Sequence, residues 1–152
     1  MEMKKILFLE DNLVELQAGG DELRKSGYNV MLVSTTAKAE DLLKNGHIFD
    51  CLIIDLNMNN SYLPDSLKHK THAGSLTGWV WLYYIAKPLF KNHPQIIIYS
   101  EFIDELLDEM ETADDDMEDY FKNIKTISKS DTVNRSKNLV KEVSGLFDRR
   151  KV

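Results

Sequence analysis

The chain has 152 residues, 43% of them apolar and 29% charged, with a formal net charge of −6; this is the size and balance of one soluble globular domain with room for a proper core. A single cysteine, Cys51, excludes an internal disulfide, and the longest apolar run, Trp79 to Ala86, is too short to span a bilayer. Met1-Glu2-Met3-Lys4-Lys5 leads directly into an apolar stretch without a signal-peptide pattern, so a cytoplasmic location with no membrane partner is expected.

The first predicted strand, Lys5 to Leu9, ends at Glu10-Asp11-Asn12. A helix from about Leu13 to Ser26 follows, with Leu13, Leu16, Gly20 and Leu23 on one stripe. Gly19-Gly20 costs about 1 kcal/mol per glycine against alanine, a loss that close packing against a sheet would offset. Gly27 ends the helix, Tyr28 to Val33 is a second strand, and Thr35 or Thr36 caps a second helix that carries Ala39, Leu42 and Leu43 and stops at Asn45-Gly46. Cys51-Leu52-Ile53-Ile54 has no polar alternation, as suits a strand buried on both faces of a parallel sheet, and it runs into Asp55-Leu56-Asn57.

From Met58 to Thr77 no period is evident, and twenty residues without structure in a compact domain are usually functional or mobile. Gly78 then opens an aromatic helix, Trp79 to Lys87, closed by Pro88. A fourth strand spans Gln95 to Tyr99, and one acidic helix spans Phe102 to Lys122 with Leu106, Leu107, Met110 and Met117 facing inward. The fifth strand is Ile124 to Ser128, and the last helix, Asp131 to Arg149, carries Val133, Val140, Val143 and Phe147 at helical spacing. Strands alternating with helices five times predict an α/β fold, a doubly wound parallel sheet with right-handed connections. The chain is expected to be one domain, residues 1–152, with a long inserted loop at about 58–77.

Residues 101–119 hold eleven acids and no Lys or Arg, which leaves the rest of the chain at +5. So dense an acidic face repels phosphate backbones, and no direct nucleic-acid partner is expected; the plain reading is a solvated helix face. His69 and His72 stand at i, i+3 in a polar loop without neighbouring Cys or paired acids, a poor zinc site. Trp79, Trp81, Tyr83 and Tyr84 suit helix packing better than a stacking platform.

The chemistry gathers at strand ends. Glu10 and Asp11 follow the first strand, Asp55 the third, Ser100 the fourth and Lys129 the fifth, all at the edge where open α/β sheets bind ligands. This ordered set resembles the receiver domain of two-component response regulators, over about residues 4 to 149. The resemblance implies a five-stranded flavodoxin-like sheet of order 2-1-3-4-5. It implies Asp55 as the acceptor of a phosphoryl group from a sensor histidine kinase or phosphotransfer protein. It implies one Mg²⁺ held by Asp11, Asp55 and the backbone carbonyl of Asn57, with Glu10 reaching it through water, and a phosphoryl group met by Lys129 and by a switching hydroxyl on Ser100. The residue types are apt: aspartate is a covalent phosphoryl carrier, and transfer needs positioning and charge neutralisation more than covalent work. A hard oxygen-seeking cation relieves three clustered carboxylates, and lysine supplies a point charge for phosphate.

Four departures from the family pattern stand out. Glu101 replaces a small residue after Ser100, Thr126 replaces a switching aromatic, Ser130 replaces the proline after the lysine, and the loop before Gly78 is long. The expected function is a stand-alone signalling phosphoacceptor, not an enzyme with a separate substrate, that changes its affinity for a downstream protein partner. The alternatives are a rarely phosphorylated interaction module on the same fold and a small phosphatase with Asp55 as nucleophile, although Asn57 stands where the latter wants a second Asp. Tyr62, Lys68, Lys70, Glu101 and Thr126 are the candidate partner-binding residues. In the insertion, Tyr62, Leu63 and Leu67 would dock on the domain, while Lys68, His69, Lys70 and His72 would face an acidic partner or the chain's own acidic helix. Removing residues 60–74 is expected to leave the fold intact.

Overall fold

A strand whose two faces are both covered needs apolar side chains at every position, and the three central strands here meet that demand. The computed structural model describes residues 3–129 and 135–148. Strands β1 (Lys5–Leu9), β2 (Asn29–Val33), β3 (Cys51–Ile54), β4 (Gln95–Ser100) and β5 (Lys125–Ser128) pair in parallel in the order β2-β1-β3-β4-β5. Leu7, Leu9, Leu52, Ile54, Ile96 and Ile98 turn to one layer of helices, and Ile6, Phe8, Cys51, Ile53, Ile97 and Tyr99 to the other. Each such side chain taken fully from water contributes about 1.5–3 kcal/mol. The edge strand β5 is only half-buried.

The first layer holds α2 (Thr36–Lys44), α4 (Thr77–Trp81), α5 (Ile103–Met110) and α6 (Asp115–Phe121); the second holds α1 (Leu13–Lys25) and α7 (Arg135–Asp148). A Cβ on Gly19 would lie 2.6 Å from the Phe8 ring, and one on Gly20 2.7 Å from Leu32. Close approach to the sheet is therefore what the glycine pair provides. Leu13 departs from expectation: it is 66% exposed, because the first turn of α1 begins beyond the strand ends. Among the described residues no helix is long and apolar enough to cross a membrane.

Two segments differ from the sequence reading. The acidic stretch is two helices, with a break after Met110. Asp114 is the reason: its carboxylate accepts from the Met117 N–H at 2.9 Å and caps a new helix. Leu106 and Met110 face inward as expected, but Leu107 is exposed. The insertion, expected to lack structure, contains α3 (Asp65–Lys68) and a 3-10 turn (His69–Thr71). Its Met58, Leu63 and Leu76 belong to the main core, and within residues 60–74 Leu63 and Thr71 are buried, so removing that stretch would take both from the fold. Thr71, fully buried, is its knot: the hydroxyl donates to the Lys68 carbonyl at 2.7 Å and accepts from Asn60 Nδ2 and the Gly74 N–H.

His72, Ala73 and Gly74 then run through the left-handed region, φ 51°, 58° and 103°. Beyond this turn, His72 Nε2 lies 2.8 Å from Glu109 and the Ser75 hydroxyl donates to Glu105 at 2.5 Å. Of the two surfaces open to the insertion's polar residues, these reach the chain's own acidic helix. Helix α4 continues past Trp81 as a π turn (Leu82–Ala86) and a 3-10 turn (Lys87–Leu89) that takes in Pro88. Trp79 and Trp81 are core, Trp79 packing against the half-buried Tyr83 and against Tyr120 and Phe121, while Tyr84 at the end of the run is exposed. The expected helix start at Asp131, Val133 and the Ser130 position lie outside the described residues.

Candidate functional site

At the carboxyl ends of β1, β3 and β5 the sheet opens into a cleft of about 160 Å³, lined by Glu10, Asp11, Asn12, Glu15, Asp55, Asn57, Glu101, Phe102 and Lys129. β1 and β3 are neighbours, with Leu9 beside Ile54, so the acids that follow them converge. One oxygen each from Glu10, Asp11 and Asp55 falls within 4.8 Å of the others. Asp55 is held from behind by α4: the Gly78 N–H donates to the Leu56 carbonyl at 3.0 Å, and a Cβ on Gly78 would lie 1.9 Å from the Asp55 carbonyl oxygen. Glycine at 78 is a condition of the site's geometry.

Lys129, at the end of β5, is 4% exposed and sends its ammonium to Glu10, to Glu15 at 2.7 Å and to Asp55 Oδ2 at 3.2 Å. Burial, then the Asp55 carboxylate, push Glu10 up to about 9 despite that lysine. Burial would lower Lys129, but Asp55 and Glu10 outweigh it and hold the ammonium above its usual range. Asp11 is raised by burial and by Asp55. The raised carboxyls and the raised ammonium share a source, an excess of negative charge in partly dry surroundings. Among the described residues, the buried Asp55 Oδ1 has no hydrogen-bond donor. A buried carboxylate oxygen without a donor, beside two further acids, is a donor set that fits a hard divalent cation.

Two residues at this cleft escape sequence reasoning. Glu15 sits on the first turn of α1, three residues after the cap Asn12, where a capping glutamate would reach back to the cap's own N–H. Glu10 Oε2 already takes that N–H at 3.2 Å, and Glu15 turns instead to Lys129 and to Arg135. The Asn-x-x-Glu spacing was a signal, though of a cap. Arg135, on the first turn of α7, pairs with Glu15, lies 3.5 Å from Glu101 and donates to the Lys129 carbonyl at 3.0 Å. Nothing in the local sequence marks it.

The remaining candidates fall in different places. Asn57 is exposed at the cleft. Ser100 is fully buried and off the cleft lining; its hydroxyl accepts from the Phe102 N–H at 3.1 Å and pins the turn after β4. Glu101 lines the cleft with its charge met by Arg135. Thr126 is half-buried on β5 opposite Ile98, away from the cleft. Tyr62 is exposed on the insertion, Lys68 pairs with Asp65, and Lys70 lies over the Tyr84 ring.

Among solved structures the chain matches the receiver domain of Francisella response regulator 1452 over 97% of its own length and 98% of that chain, with TM-score 0.63 and 17% identity. A response regulator receiver protein from Sinorhizobium medicae matches over 98% of both chains, with TM-score 0.58 and 21% identity. The BeF3-activated DrrB receiver domain matches over 97% and 99%, with TM-score 0.59 and 15% identity. The chain has the receiver-domain fold. No family model and no curated protein matches the sequence. Beside the strand ends, Glu15 lines the cleft and Arg135 pairs with it from behind.

Proposed function

We propose that the protein is a phosphoacceptor of two-component signalling, taking a phosphoryl group onto Asp55 and passing the change to a protein partner. The observation that carries this reading is Asp55 itself: Oδ2 lies 3.2 Å from the buried Lys129 ammonium, Oδ1 is buried without a donor among the described residues, and one of its oxygens converges with Glu10 and Asp11. The shared fold with receiver domains, one of them BeF3-activated, supports it.

In the transfer, a carboxylate oxygen of Asp55 attacks the phosphorus of a phosphohistidine on the donor protein. The new P–O bond forms as the P–N bond breaks; the electron pair stays on the imidazole nitrogen, and the product is an acyl phosphate. Lys129 meets the charge on the phosphoryl oxygens, and Gly78 lets α4 fix the height of Asp55. Asp11, Asp55 and the Asn57 carbonyl would hold Mg²⁺, with Glu10 through water, and the ion would neutralise phosphoryl charge. Loss of the group is attack of water on the same phosphorus, which returns the carboxylate and inorganic phosphate. Tyr62, Lys68 and Lys70 remain the proposed contacts for the partner, and the donor is a histidine kinase or phosphotransfer protein. Intact mass after incubation with acetyl phosphate and Mg²⁺ tests the reading: one phosphoryl group adds about 80 Da in wild type and none in Asp55→Asn. A gain that survives the substitution, or no gain at all, refutes it.

A further inference from the structure

An ammonium has three hydrogens, and all three on Lys129 are engaged: by Glu10, by Glu15 and by Asp55. If Lys129 is the cation that meets the phosphoryl group, an inference that rests on the reading above, one of the three carboxylates must give way. Asp55 carries the group, so its own place on the ammonium passes to a first phosphoryl oxygen, and a second oxygen must displace one of the other two carboxylates. Glu10 is 1% exposed and its other oxygen holds the Asn12 N–H. Glu15 differs on every count. Its side chain is 23% exposed at the cleft, its usual capping duty is already performed by Glu10, and its second oxygen is paired with Arg135. Arg135 is itself anchored, by the Lys129 carbonyl at 3.0 Å and by Glu101 at 3.5 Å.

We propose that Glu15 is an internal competitor for the phosphoryl-binding cation: its carboxylate holds the place on Lys129 that a phosphoryl oxygen takes, and Arg135 keeps it when it is displaced. Release from Lys129 therefore leaves no uncompensated charge behind. The pair sets how readily the cleft accepts an anion. It acts through Lys129 and touches no reacting atom, so Glu15 is a positioning residue.

The probe is BeF3⁻ with Mg²⁺, its bound fraction read by ¹⁹F NMR across a concentration series. Glu15→Gln should tighten binding about tenfold, the scale of one hydrogen bond to a charged group. Glu15→Ala, which lacks any acceptor, should do the same. Glu101→Gln removes an equal charge from the same cleft without freeing Lys129, and it should have a much smaller effect. In a Lys129→Met background the gain from Glu15→Gln should vanish, because the contested cation is gone. Equal tightening in Glu101→Gln, or a gain that persists without Lys129, would reduce Glu15 to background field and overturn the proposal. Wild type that binds as tightly as both Glu15 variants overturns it too while leaving phosphoacceptance standing. If neither wild type nor variant binds BeF3⁻, the phosphoacceptor reading falls and the competitor with it.

Discussion

Replacing Gly78 with alanine tests the geometry of the site without touching a charge. The added Cβ would lie 1.9 Å from the Asp55 carbonyl oxygen, 2.9 Å from the Asp55 carbonyl carbon and 2.9 Å from Ile54 Cγ2. Two of these are backbone atoms of the strand end, so no flexible side chain can yield. The gap to the oxygen must open from 1.9 Å to about 3.4 Å, the lower edge of ordinary contact. Either α4 lifts, loosening Trp79 and Val80 in the core, or the Asp55 peptide is pushed into the cleft. Overpacking of this kind costs about 3 kcal/mol, at the upper end of the usual range because backbone must move. For a domain of this size that is a fall of about 6–12 °C in Tm. If Asp55 accepts the phosphoryl group as proposed, a displacement above 1 Å there should also slow acetyl phosphate labelling about a hundredfold. Gly145→Ala is the matched control: a Cβ there meets nothing within 4 Å, and alanine in α7 should raise stability by about 0.5–1 kcal/mol. Gly78→Ala with a Tm within about 2 °C of wild type and an unchanged labelling rate would refute the reasoning.

Burial and Asp55 raise Glu10 from 4.5 to about 9, so the folded state holds that proton more tightly than the unfolded chain. Glu10 therefore makes the metal-free protein lose stability as pH rises from about 4.5 to about 9; Lys129, raised above 10.5, keeps its contribution throughout that window. Melting curves across it in EDTA should show the decline, Mg²⁺ should flatten it, and a decline unchanged in Glu10→Gln would place its origin elsewhere. Asp11→Asn removes a repelling carboxylate and should raise the Tm of the metal-free protein while abolishing most of the Mg²⁺-induced rise; an undiminished response to Mg²⁺ would put the ion at another site. Thr71→Ala strips the insertion of the hydroxyl that joins Lys68, Asn60 and Gly74, at a cost of about 1–3 kcal/mol, and limited proteolysis should then cut within residues 58–76.

The sheet was legible because its central strands are buried on both faces and so spell continuous apolar runs, each closed at its carboxyl end by a polar residue that is itself buried. That one pattern gave both strand order, by way of the resemblance, and the convergence of Glu10, Asp11 and Asp55. The rest depends on what packs across the chain. Glu15 meets Arg135 only because α1 lies beside α7, 120 residues apart in sequence. The insertion looked unstructured because its order comes from a buried threonine and a left-handed turn, neither of which has a period. The acidic stretch looked like one helix because Asp114 is one more acid in an acidic run, and capping is a matter of backbone conformation, not charge. In sequence Gly78 is only a helix opener; that it touches the Asp55 peptide is a fact of three dimensions.

The contacts from His72 to Glu109 and from Ser75 to Glu105 join the loops that follow two neighbouring strands, β3 and β4. One loop departs after Asn57, the other passes through Ser100 and Glu101 into α5. Bridged in this way, the two loops and their paired strands form one closed circuit of covalent and non-covalent links that includes Asp55. A disturbance at Ser100 cannot travel down α5 alone, for the insertion is harnessed to it and must follow or let go. A force on the outer side of α5 is therefore also borne by the segment that begins beside Asp55.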